Sequence, residues 1–168
     1  MSGIIGSARS KSHVIGVEQN SIQPHFAVRA GSSLHNVTGN AVQYTILWDT
    51  VMSDPRSNYA TGTGIYTAPV SGQYFFTSTF SLDCTDDGGP GSGAHTYIDA
   101  FLLTTGRTFQ FYDFVTFANA GKNRMQYINI IADMDAGHEA KVDTTVQFGN
   151  TDVSVTATGS FFGGWLIA

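Results

Sequence analysis

Gly64-Ile65-Tyr66-Thr67-Ala68-Pro69-Val70-Ser71-Gly72-Gln73-Tyr74-Phe75-Phe76 is the stretch on which the fold turns. Proline has no N–H to give a β-ladder and glycine accepts positive φ, so Ala68 to Gly72 reads as a turn with a strand on either side. Beyond it, Tyr74 and Phe76 share one face of the next strand by the period of two. On its own this run specifies a hairpin-like corner and no function.

Working outward, the same pattern continues: alternating or short apolar runs cut by Gly, Pro, Asn and Asp. Strands are expected over residues 26–30, 44–52, 64–67, 72–82, 96–104, 108–117, 126–134, 140–148 and 154–167. About ten antiparallel strands, with neither helical periodicity nor a fixed repeat between them, predict an all-β jelly-roll β-sandwich and argue against a propeller or solenoid. The run Thr85-Asp86-Asp87-Gly88-Gly89-Pro90-Gly91-Ser92-Gly93 cannot hold a ladder and is expected as a surface loop.

Composition agrees. A chain of 168 residues suits one core. Glu occurs only at Glu18 and Glu139, and Lys only at Lys11, Lys122 and Lys141, so the residues that populate exposed helix faces are missing. Charged residues make up 12 % of the chain, about half the usual quarter, which leaves a surface better explained if copies of the chain cover part of it. A net charge of -5 gives no basis for binding nucleic acid. With one cysteine, Cys84, there is neither an intrachain disulfide nor a cysteine-based zinc site to expect. No apolar run reaches the ~18–20 residues of a membrane span, so membrane insertion is not expected. The start MSGIIGSARSKSH has no signal-peptide order and has glycine at position 3, not 2, so synthesis in a cytoplasm is expected.

Residues 1–24 differ from the rest. They are Gly/Ser-rich and basic at Arg9 and Lys11, and two apolar beads, Ile4-Ile5 and Val14-Ile15, punctuate them before Pro24. They are expected to form an N-terminal attachment arm, with residues 25–168 as the head. Ile4, Ile5, Arg9, Lys11, Val14 and Ile15 would be the anchoring side chains, suited to grooves on another protein.

Several motifs in order resemble the globular heads of the complement recognition subunit and the related tumour-necrosis-factor-like jelly rolls. Phe26-Ala27-Val28 resembles the family's opening strand. Tyr59, with Gly64 to Pro69 and Gly72 to Phe76, resembles its central signature. Ala136-Gly137-His138-Glu139-Ala140-Lys141-Val142 resembles a later strand, with His138 where the family carries an acid. Ser160-Phe161-Phe162-Gly163-Gly164-Trp165-Leu166 resembles its closing strand. The resemblance implies a homotrimer with aromatic side chains packed along a three-fold axis, and Phe26, Tyr74, Phe76, Phe161 and Phe162 are the candidates for that trimer core. No collagen-like stalk stands before residue 25, which leaves the arm as the attachment device. The arm itself resembles the N-terminal segment of small fibre or appendage proteins of marine tailed phages.

Catalytic patterns are missing: no Gly-x-Ser-x-Gly elbow, no phosphate loop, and no zinc spacing among the five histidines. No enzymatic activity and no cofactor are expected; calcium is the cation that the Asp86-Asp87 loop would suit. The expected protein is therefore a phage virion structural module, made in the host cytoplasm. It would be a trimeric short fibre, spike tip or capsid decoration, held by its arm to another virion protein. Contact with a host receptor or glycan would fall on loops, at Asp54, Arg56, Asn58, Asp86, Asp87 and His95. The alternative is a soluble, lectin-like trimer of bacterial origin that binds carbohydrate or protein.

Overall fold

A computed structural model describes residues 23–84, 97–114, 122–147 and 153–168. Within them the chain forms twelve strands: β1 (His25–Arg29), β2 (Leu34–Thr38), β3 (Gln43–Thr45), β4 (Thr50–Ser53), β5 (Tyr59–Ala60), β6 (Ile65–Thr67), β7 (Gly72–Cys84), β8 (Tyr97–Thr104), β9 (Arg107–Phe114), β10 (Lys122–Met134), β11 (Glu139–Gln147) and β12 (Val153–Leu166). They build two six-stranded antiparallel sheets. The first runs β10-β7-β12-β1-β4 with β2 beside β12, and the second runs β5-β6-β11-β8-β9 with β3 beside β11. The result is the expected jelly-roll sandwich, with its core between the two sheets.

The opening stretch forms the turn between two strands that its pattern predicts, and the tertiary structure gives that turn its direction. Tyr66 lies in β6 of the second sheet and Tyr74 in β7 of the first, so the Pro69 turn is a corner that carries the chain between layers and not a hairpin within one. Both rings are fully buried and meet edge-to-face, with centroids 6.0 Å apart. The turn is tied down from outside, because Ala68 N donates to His138 O and Gly137 N donates to Ala68 O, both at 2.8 Å.

The single strand expected over residues 44–52 is split by a second crossing. β3 belongs to the second sheet and β4 to the first, and the segment between them drops Ile46 and Trp48, both fully buried, into the interior. Alternation persists through the crossing because the side chains still fill a core, which is why pattern alone reads one strand.

Aromatic rings dominate that interior. Phe26 stacks on Tyr66 with centroids 4.2 Å apart and meets Phe162 edge-on at 4.8 Å. Gly164 makes this packing feasible, since a Cβ there would come within 2.7 Å of Phe76 Cδ1 and 3.0 Å of Phe26 Cε1. The β8–β9 hairpin closes on Thr105-Gly106, with Thr104 paired to Arg107 and Gly106 at φ 88°. The first-sheet ladder reaches Pro24, which is buried and whose carbonyl accepts from Leu166 N at 2.9 Å.

Four of the five residues expected at a trimer axis are interior to one chain. Phe26 is 2 % exposed and Tyr74, Phe76 and Phe162 are 0 % exposed, so no second copy can touch them. They join the two sheets of a single head. Only Phe161, in the opposite phase of β12, lies on the outside, where it is half-buried.

Candidate functional site

The two sheets turn very different outer faces to their surroundings. On the first, strand register aligns side chains into rows. Ile131 lies beside Phe75, then Trp165, then His25; Tyr127 lies beside Thr79, then Phe161, then Arg29. Ile131, Tyr127 and Trp165 are 57 %, 61 % and 45 % exposed, and Trp165 packs on Phe75 with centroids 4.7 Å apart. Met125 on β10 is exposed on the same face. These side chains set apolar groups in two rows of the face, on either side of the row Asn129, Thr77, Gly163 and Ala27, and exposed aromatic and aliphatic groups so gathered suit an interaction surface. It has few charges, and His25 is held at its margin, Nδ1 on Gln23 O at 2.8 Å and Nε2 on Ser53 Oγ at 3.0 Å.

The outer face of the second sheet is polar at its centre. One row runs Gln43, Thr145, Asp99, Tyr112; the next runs Thr45, Asp143, Phe101, Gln110. Asp99 and Asp143 are each 3 % exposed although they point away from the core, because long polar side chains lie over them. Gln110 Nε2 donates to Asp99 Oδ1 at 3.2 Å and Gln147 Nε2 to Asp99 Oδ2 at 3.4 Å. Gln43 Nε2 donates to Asp143 Oδ2 at 2.7 Å, and Lys141 Nζ lies 3.4 Å from the same oxygen. Asp143 Oδ1 is buried without a hydrogen-bond partner. Around this floor stand Tyr97, Tyr112 and Phe114, with Tyr97 centroids 6.5 Å and 6.0 Å from the other two. The cluster is not visible in the pattern because Asp99 lies in an apolar run, Asp143 lies between Val142 and Thr144, and the two come together only through pairing of β8 with β11.

The loop candidates fare unevenly. Asp54 is consumed in holding its own turn: its carboxylate accepts from Asn58 N at 3.1 Å and Tyr59 N at 2.8 Å. Asn58 is half-buried and its carbonyl accepts from Thr67 N, which leaves Arg56 as the exposed member of the three. Asp86, Asp87 and His95, and the arm residues Ile4, Ile5, Arg9, Lys11, Val14 and Ile15, lie outside the described residues. At the position where the resembled family has an acid, His138 Nδ1 accepts from Asp135 N at 3.1 Å and Nε2 lies 3.6 Å from Asp135 Oδ2, so the turn stays satisfied. Among the described residues, no group of three or more His, Cys, Asp or Glu comes together in a way that could hold a metal ion.

The largest shifts in proton affinity belong to the interior. Burial pushes the phenols of Tyr59 and Tyr66 far above the ordinary tyrosine range, and raises Tyr74 less. These groups answer to packing and offer no reactive centre.

No protein-family model and no curated protein matches the chain. Solved structures do. The globular domain of zebrafish complement 1qA protein superposes with a TM-score of 0.62 at 15 % identity, covering 88 % of this chain and 98 % of that one. Murine APRIL at pH 5.0 gives a TM-score of 0.58 at 12 % identity, covering 87 % and 100 %, and at pH 8.5 a TM-score of 0.55 at 10 % identity over the same shares. At such identities the likeness is one of fold, and the chain has the jelly-roll fold of the complement and tumour-necrosis-factor-like heads.

Proposed function

We propose that this chain is a structural module of a tailed-phage virion, present there as a homotrimer whose arm docks into another virion protein and whose head projects toward the host surface. The observation that carries the reading is the apolar outer face of the first sheet, centred on Phe75, Trp165, Ile131 and Tyr127. A head so poor in charge leaves this face costly to keep wet, and copies meeting around a three-fold axis cover it symmetrically. The three-fold arrangement is what the complement-like resemblance implies; the contact residues are those of the outer face, in place of the interior aromatics.

Attachment falls to the arm. Burying Ile4, Ile5, Val14 and Ile15 contributes about 1.5–2.5 kcal/mol each before ordering costs, and ordering the segment offsets most of that. One arm binds weakly, whereas three arms on one trimer bind firmly through raised effective concentration. The test is Ile4→Asp with Ile15→Asp in the full chain. The variant should remain a folded trimer and fail to join particles, as read by its stoichiometry in purified virions. Incorporation at the wild-type level would mean that the head itself makes the attachment.

A further inference from the structure

The outer face of the second sheet lies on the opposite side of the sandwich from the face proposed for contact between copies, and it carries a built polar cluster. Two carboxylates sit at its centre, each almost fully covered, and each is engaged by side-chain amides. Asp99 fixes two glutamines at once: Gln110 from β9 and Gln147 from β11 each give it one N–H. A glutamine held this way keeps its carbonyl oxygen and second N–H for solvent, in an orientation it does not have to find. Beside this donor–acceptor pair lie Tyr112, 61 % exposed, and Phe114, 82 % exposed, both carried on the edge strand β9.

We propose that this face, at Asp99, Gln110, Gln147, Tyr112 and Phe114, is a binding site for neutral glycans. A pyranose ring has one face of C–H groups, which packs on an aromatic ring, and a rim of hydroxyls that both donate and accept. The flat rings supply the first requirement and the fixed amides the second. An apolar protein surface fits poorly, because it would cut the amides and carboxylates off from water without replacing their hydrogen bonds. An acidic sugar fits poorly as well, since Asp99 and Asp143 put two negative charges in the floor against Lys141 alone. Asp143 Oδ1, buried without a partner, is a further acceptor that a hydroxyl reaches if the Gln43 and Lys141 cover shifts.

The inference rests on the reading of the head as a host-contacting module and names what it contacts. Its test is a titration of the isotope-labelled full chain with methyl glycosides of glucose, galactose and mannose and with N-acetylneuraminic acid, followed by amide chemical shifts. At least one neutral glycoside should move resonances of β8, β9 and β11 while the acidic sugar moves none, and Tyr112→Ser with Phe114→Ser should weaken binding about tenfold with the fold intact. Gln147→Ala, a second variant far from the core, should weaken it too. Absence of shifts with every neutral glycoside, shifts on the first sheet, or equal affinity in the double variant would overturn the assignment. So would loss of binding to a host surface protein in the double variant when no sugar binds, which would make the occupant a polypeptide. The two readings separate cleanly: glycan binding by a chain that never enters particles sinks the virion role and leaves this site, while particle incorporation without glycan binding does the reverse.

Discussion

The outer faces of the two sheets are made of the same kind of strands in the same sandwich, and they solve opposite problems. The first exposes Trp165, Ile131 and Tyr127 with few charges between them, and none of the described residues covers them fully. The second covers its own charges, placing Asp99 and Asp143 under glutamines and Lys141 with only Asp143 Oδ1 left unpaired among their oxygens, and has its exposed aromatics at Tyr112 and Phe114. Apolar surface gains by losing water, whereas a hydrogen-bonded polar surface gains little by it. The first face is therefore suited to contact between copies, and the second to staying wet until a polar ligand arrives.

The sharpest way to break this contrast is to charge the first face. Trp165→Asp with Ile131→Asp should abolish assembly outright, because each interface would bury unpaired carboxylates, while the partly exposed positions leave the isolated chain folded. Sedimentation should show monomers with an unchanged far-ultraviolet spectrum. A surviving trimer would move the interface elsewhere.

Neighbouring phenylalanines test the inner and outer assignment directly. Phe162→Ala removes a ring packed against Phe26, Phe76 and Trp48 and should destabilise the head by about 3–5 kcal/mol in urea titration. Phe161→Ala should cost the single chain markedly less and be felt instead in assembly. Equal costs would mean that β12 is assigned in the wrong phase.

What lies between the faces can be probed with alkali. Tyr59 and Tyr66 ionise less readily in the fold than in the unfolded chain, whose phenols titrate near the ordinary 10.0. Above pH 10 the unfolded state loses protons that the folded state keeps, so stability is complete below pH 10 and falls as pH rises beyond it. The loss is up to about 1.4 kcal/mol per pH unit for each such tyrosine. Tyr66→Phe should flatten that fall when unfolding midpoints are compared across alkaline pH.

The smallest effect is expected on the second face. Asp99→Ala frees the amides of Gln110 and Gln147, which water can satisfy, so the head should lose only about 1 kcal/mol by thermal melting. A loss as large as that of Phe162→Ala would show Asp99 to be a structural keystone and its amides no more than its partners.

Much of this fold was legible from the chain. Strands β1, β6, β7, β8, β11 and β12 fall within a few residues of where alternation puts them, and β9 and β10 overlap the expected runs. β2 escaped because Leu34–Thr38 has little alternation, has Asn36 at φ 53°, and pairs with β12 across a register shift. β5 is two residues long, too short to carry a period. Of the polar site, the residues were visible and the site was not: Asp99 and Gln147 are 48 positions apart and become partners only when β8 pairs with β11.

The amino-acid sequence by itself determined that the chain is all-β, where most of its strands run, and that Tyr74 and Phe76 share one side of their strand. These are local properties, because a strand's period of two and the backbone limits of Pro and Gly act within a few residues. Only the tertiary structure decided which of the two sides is inside. That choice swapped the expected trimer contacts for an interior, made the Pro69 corner a crossing between the sheets, and split residues 44–52 between layers. The reason is physical: alternation defines a pair of faces symmetrically, and only a second sheet packed against one of them makes that face the core.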